Sequence, residues 1–112
     1  MRLSGWGEML TIFVDETDRH GRQPLYTEVV SRARKAGLAG ATVLQGSEGF
    51  GAGALMHRAH AFGLSQGLPV VIVIVDAPDR IEAFMPQVEE LVEEGLVMRE
   101  GLEVLVYRGR DR

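Results

Sequence analysis

Leu68-Pro-Val-Val-Ile-Val-Ile-Val75 is the longest apolar run in the chain. It is too short to cross a bilayer, and its β-branched residues favour a strand. It does not alternate with polar residues, so both faces of that strand are expected to be covered. Met9–Val14 reads the same way. Leu10, Ile12 and Val14 point to one side, and Met9, Thr11 and Phe13 to the other. Two such strands belong at the centre of a sheet.

Working outward, Asp15–Gln23 is a polar connection and Pro24 suits a first helical turn. Leu25, Val29, Val30 and Ala33 keep helical spacing, with Glu28, Arg32, Arg34 and Lys35 on the solvated face. Gly37 is the expected stop. Ala41–Gln45 reads as a second strand. Beyond the apolar run, Asp76 is expected to cap a helix that starts near Pro78 or to begin its turn. Ile81, Phe84, Met85, Val88, Leu91 and Val92 form the buried stripe of that helix, Glu89, Glu90, Glu93 and Glu94 its outer face, and Gly95 its end. Pro86, inside the stripe, predicts a kink or a split. Leu102–Tyr107 reads as the last strand. The order β-α-β-β-α-β predicts an α+β, ferredoxin-like protein: a four-stranded antiparallel sheet with two helices on one face. Thr11, Phe13, Leu105 and Tyr107, with alternate residues of the apolar run, would leave the other face apolar. A second layer must then come from other copies of the chain, so an oligomer is expected.

The 112 residues suit one domain spanning 1–112, with residues 1–7 and 109–112 as flexible ends. A net charge of −4 and a pI near 5.3 exclude nucleic acid as the main partner. The chain has no cysteine, hence no disulfide or thiolate metal site. Its N-terminus has no apolar signal segment, which makes the cytoplasm the expected location, without membrane insertion.

Gly40-Ala-Thr-Val-Leu-Gln-Gly-Ser-Glu-Gly-Phe-Gly51 runs from the second strand into a long connection over 47–67, expected to be a functional loop. Gly46, Gly49 and Gly51 suit either close backbone approach to a ligand or a bulged strand end and loop base. No Gly-Lys-Ser/Thr follows, so this is not a Walker A sequence. Leu55, Met56, Ala59 and Phe62 carry some helical spacing, and a short helix there would put His57 and His60 on one side. A structural metal site needs about four ligands, so no metal is expected. Asp15 and Glu16 read as a strand-end turn. Arg108, Arg110 and Arg112 form a basic tail whose planar forks suit phosphate.

Phe13-Val-Asp-Glu16, Pro24-Leu-Tyr26, Ala36-Gly-Leu-Ala-Gly-Ala-Thr-Val43, Gly46-Ser-Glu-Gly-Phe-Gly51 and Leu68–Asp76, in this order and spacing, resemble the PII-like proteins. The resemblance covers about residues 8–107 and points to the branch known as a domain of unknown function. It implies a homotrimer with sheets packed together and ligand clefts between protomers. PII proteins proper bind ATP or ADP there, so the implied ligand is an adenine nucleotide (ATP, ADP or AMP) or a related anion, with no cofactor required. Gly46, Gly49, Phe50, Gly51 and Glu16 would form one side of the site. Arg108 and Arg110 resemble an Arg-x-Arg pair that reaches phosphates from a neighbour. The segment Gly95–Gly101 stands where PII proteins proper carry a glycine-rich turn with a lysine; here it offers Arg99 and no lysine. Leu55, Met56, His57 and Phe62 would touch a target, namely a membrane transporter, a channel or an enzyme. The loop has no tyrosine, so control by uridylylation is not expected. Two other readings remain: an adaptor that needs no small ligand, and a small enzyme using Glu16, His57 and Glu48 in the same cleft. No nucleophile–base pair is visible, so the chain is expected not to be an enzyme.

Overall fold

The computed structural model describes residues 5–51, 57–58 and 67–109. Its elements in chain order are β1 (Gly5–Asp15), β2 (Arg19–His20), β3 (Gln23–Pro24), α1 (Leu25–Lys35), β4 (Thr42–Gln45), β5 (Glu48–Gly49), β6 (His57–Arg58), β7 (Pro69–Asp76), α2 (Pro78–Leu91) and β8 (Leu96–Val104). Four strands form an antiparallel sheet in the order β4-β7-β1-β8. The two strands expected at its centre, β1 and β7, are there.

The register sorts the side chains. Leu10 faces Ile74, Ile12 faces Ile72 and Val14 faces Val70. These six are buried against Leu25, Val29 and Ala33 of α1 and Ile81, Phe84, Val88 and Leu91 of α2. Burying side chains of this kind contributes about 1.5–3 kcal/mol each, so this layer holds the helices to the sheet. The next residue of each pair faces away from the helices. There Val71 lies between Leu44 and Phe13, with Leu96 beyond, and Val73 lies between Thr42 and Thr11, with Met98 beyond. Leu44, Leu96 and Met98 are 56%, 52% and 42% exposed, and no element among the described residues covers this face.

Local chemistry sets the ends of α1. Pro24 stands at the N-cap rather than inside the first turn. At the other end Leu38 N–H donates to the Ala33 carbonyl and Gly37 N–H to that of Arg34, a Schellman pair closed by Gly37 at φ +76°. Arg32 donates to Glu28 at 2.7 Å, and this hydrogen bond holds the Glu28 carboxyl below its usual 4.5. A lowered carboxyl stabilises the fold above its ordinary pKa, and that contribution is lost as pH falls through the lowered value.

Three sequence expectations are corrected. Pro86 does not split α2, which runs unbroken from Pro78 to Leu91. Pro86 lies on the exposed side, where the carbonyl left without a donor meets water. The helix ends before Gly95, because Val92 already turns extended. The last strand is Leu96–Val104 rather than Leu102–Tyr107. It is an edge strand, mostly exposed, and Arg99-Glu100-Gly101 interrupts its alternation, so periodicity hides it. Leu105 and Val106 lie beyond it, 78% and 65% exposed, and Tyr107 reaches away to donate to the Ala39 carbonyl at 2.7 Å.

Gly95 permits the turn between α2 and β8. Its φ is +150°, and a Cβ there would lie 2.5 Å from the Phe13 carbonyl oxygen, part of a central strand that cannot move aside. Gly95→Ala is therefore expected to cost roughly 2–3 kcal/mol. Gly101→Ala, where an added Cβ meets nothing within 4 Å, should stay within about 0.5 kcal/mol. Urea midpoints of the two variants check this.

Candidate functional site

Asp15 and Glu16 close β1 and begin a tight turn. The Asp15 carboxylate accepts from the Thr17 N–H at 2.8 Å and the Thr17 hydroxyl at 2.6 Å, and Asp18 N–H donates to the Asp15 carbonyl at 3.0 Å. Glu16, at the end of β1, lies beside the start of β7, and its side chain reaches the end of β4. Its backbone N–H donates to the Leu68 carbonyl at 2.9 Å. Its carboxylate accepts from Leu68 N–H at 3.4 Å and from the Gln45 side-chain amide.

The glycines differ from one another. Gly46 N–H donates to the Pro69 carbonyl at 2.7 Å, and a Cβ at Gly46 would lie 2.7 Å from Pro69 Cγ. A Cβ at Gly49 would lie 3.2 Å from the same atom. At both, the chain packs against Pro69, and neither has a left-handed φ. Among the described residues nothing lies within 4 Å of a Cβ added at Gly51, so none of them requires a glycine there. Phe50, between them, is 73% exposed.

The connection also contains paired backbone. Glu48 stands opposite Arg58 and Gly49 opposite His57, as a short antiparallel hairpin. His57 thus lies in β6, not on a helical turn shared with His60. Leu55, Met56, His60, Phe62 and Arg110 lie outside the described residues. Among the described residues no group of three or more His, Cys, Asp or Glu is placed to hold a metal ion.

The remaining arginines sit elsewhere. Arg99 lies inside β8 opposite Leu10, not in a turn. It donates to Glu82 at 2.9 Å and to Glu8 at 2.5 Å, and these hydrogen bonds, that to Glu82 foremost, raise its pKa. Two carboxylates already occupy it. Arg108 is exposed and follows Tyr107, whose hydroxyl is tied to Ala39. Ala39 in turn is held to Asp76, at the end of β7 remote from Pro69. Tyr107, the residue before Arg108, is thus tied to the end of β7 opposite the one against which Gly46 and Gly49 pack. One protomer gathers Glu16, Gly46 and Gly49, and leaves Arg99 and Arg108 apart from them.

Sequence reading missed two polar ties. Asp76, 2% exposed, does not cap α2, whose N-cap is Ala77. It accepts from Ala39 N–H at 2.8 Å, Ala77 N–H at 2.7 Å and Arg80 Nε at 3.3 Å, joining the α1–β4 connection to the sheet. The side-chain amide of Gln45, at the end of β4, donates to Glu16, 29 residues away in the chain, so no local pattern signals it. A shallow depression lined by Asp18, Leu25, Leu91, Glu93 and Glu94 has an acidic rim, unsuited to phosphate.

A split βαβ sheet backed by two helices, with a glycine-containing connection after β4, is the PII-like ferredoxin-like fold. CPII of Thiomonas intermedia K12, described as a nitrogen regulatory PII-like protein and solved with ADP, AMP and bicarbonate, superposes with a TM-score of 0.60 at 17% identity over 88% of each chain. The same protein with ADP and bicarbonate gives 0.58 at 17% identity over the same shares. The model of the family DUF190, described as an uncharacterized ACR, matches residues 7–104, and the chain belongs to that family. A UPF0166 protein of Aquifex aeolicus is 32% identical over 98 residues, 88% of this chain and 92% of its own length. One of Methanocaldococcus jannaschii is 29% identical over 92 residues, 81% and 84% of the two lengths.

The geometry separates the glycines experimentally. Gly46→Ala is expected to cost about 1–3 kcal/mol by overpacking against Pro69, and Gly51→Ala to stay within about 0.5 kcal/mol. Thermal or urea unfolding measures both.

Proposed function

We propose that this chain is a PII-like regulatory protein that binds a small anionic ligand, an adenine nucleotide, in clefts between protomers of a homotrimer. It passes the signal to a transporter, channel or enzyme through the 47–67 loop. The observation that carries the reading is the incompleteness of the protomer. One sheet face is apolar and is covered by no element among the described residues, and Arg99 lies in mid-strand, paired with Glu8 and Glu82, away from the glycines. Packing three sheets face inward would cover Phe13, Leu44, Leu96 and Met98, each worth about 1.5–3 kcal/mol when fully buried. It would also set one protomer's tail beside its neighbour's glycines. The ADP and AMP held by the PII-like CPII support the choice of ligand.

The same reading makes the protein a binder rather than an enzyme. Glu16, one of the acids considered for catalysis, is engaged by Gln45 and Leu68. Among the described residues no helix is long and apolar enough to cross a membrane. We place the protein in the cytoplasm, acting on its target from there. The exposed Phe50 favours the adaptor reading as the alternative, since an aromatic at a loop base suits a protein partner.

Calorimetric titration with ATP, ADP and AMP separates them. Binding of one nucleotide is expected, and that ligand at 100 times its Kd should stabilise the fold by about 2.7 kcal/mol. Gly51→Val, which meets no described residue of its own protomer, should weaken the affinity at least about tenfold, a 1.4 kcal/mol effect, without changing the mass in solution. Unchanged affinity in that variant removes the role of Gly51, and no heat from any nucleotide leaves the adaptor.

A further inference from the structure

We infer that Glu16 is a positioning residue that fixes both ends of the 47–67 connection, rather than a contact to the ligand. This deepens the regulatory reading above and rests on it for its functional consequence. In the register of β1 with β7, Asp15 stands opposite Pro69, so the next rung pairs Glu16 with Leu68. Half of that rung is ordinary backbone: Glu16 N–H to the Leu68 carbonyl at 2.9 Å. The other half is taken by the side chain, whose carboxylate accepts from Leu68 N–H at 3.4 Å. Its second oxygen accepts from the Gln45 amide, on the last residue of β4. A single carboxylate therefore joins the residue before the chain leaves the sheet to the residue where it returns.

The contact propagates. Leu68 is 5% exposed and seats Pro69, against whose ring and carbonyl Gly46 and Gly49 are packed. Gly49 leads directly into Phe50 and Gly51. On the returning side, Gly67 at φ +74° lies so close to Asp15 that an added Cβ would be 2.8 Å from its carboxylate. The end of β1 thus acts as a jig for both strand ends, Asp15 by shape and Glu16 by hydrogen bonds. Both oxygens of this carboxylate already accept hydrogen bonds from the protein, and a negative charge beside a phosphate would be repulsive.

Amide hydrogen exchange by NMR on the full chain, together with ADP titration, tests this. In Glu16→Ala, exchange at Leu68 and Gly46 should quicken about tenfold, the scale of a lost hydrogen bond to a charged group. Exchange at Leu10 and Ile72 should stay as in the native chain, and ADP affinity should fall. Glu16→Gln keeps an acceptor for Leu68 N–H and should restore most of the protection and affinity. Unchanged exchange at Leu68 and Gly46 with lost ADP affinity would overturn the inference and make Glu16 a ligand contact. Equal acceleration at Leu10 and Ile72 would also overturn it, as general loosening. If the native chain binds no ADP, the nucleotide reading fails, while the exchange of Leu68 and Gly46 still decides whether Glu16 holds the two ends.

Discussion

The β1–β7 pair is apolar on both faces, and the rest of the molecule follows from that. One face carries Leu10, Ile12, Val14, Val70, Ile72 and Ile74, which α1 and α2 cover completely. The other carries Met9, Phe13, Val71, Val73 and Val75, half-buried within the sheet and flanked by exposed Leu44, Leu96 and Met98. Two helices of 11 and 14 residues cover one side of a four-stranded sheet and no more. Patches of this sort on a small domain mark an interface. The proposed trimer answers a burial requirement written into the two central strands.

Polar ties sit at the two ends of the same pair. At one end buried Asp76 gathers Ala39, Ala77 and Arg80, and Tyr107 closes over Ala39. At the other, Glu16 gathers Gln45 and Leu68. The two strand ends that flank the 47–67 connection are thus held to the end of β1 by hydrogen bonds. The likeness to CPII is one of fold.

Most of the architecture was legible because it rests on periodicity. Val70–Val75, the Leu25–Val29–Ala33 stripe and the Gly37 stop each announce themselves through spacing or conformational need. β8 did not, because an edge strand needs one buried side at most, and Arg99 and Glu100 serve ion pairing and solvent rather than alternation. The β5–β6 hairpin was hidden for a related reason: two-residue strands have no period. At the site, the glycines were visible but their causes were not. Gly46 and Gly49 answer to Pro69, a neighbour across the sheet that no local window connects to them. Asp76 looked like a cap because it precedes a helix; only the fold brings Ala39 to it. The separation of Arg99 and Arg108 from the glycines likewise depends on topology.

The central claim is that the open sheet face is closed by two further copies of the chain. The mass of the full chain in solution, by light scattering or sedimentation equilibrium at micromolar concentration, tests it most directly. The account predicts three times the 12.3 kDa protomer, and a monomer with its apolar face in water would contradict it.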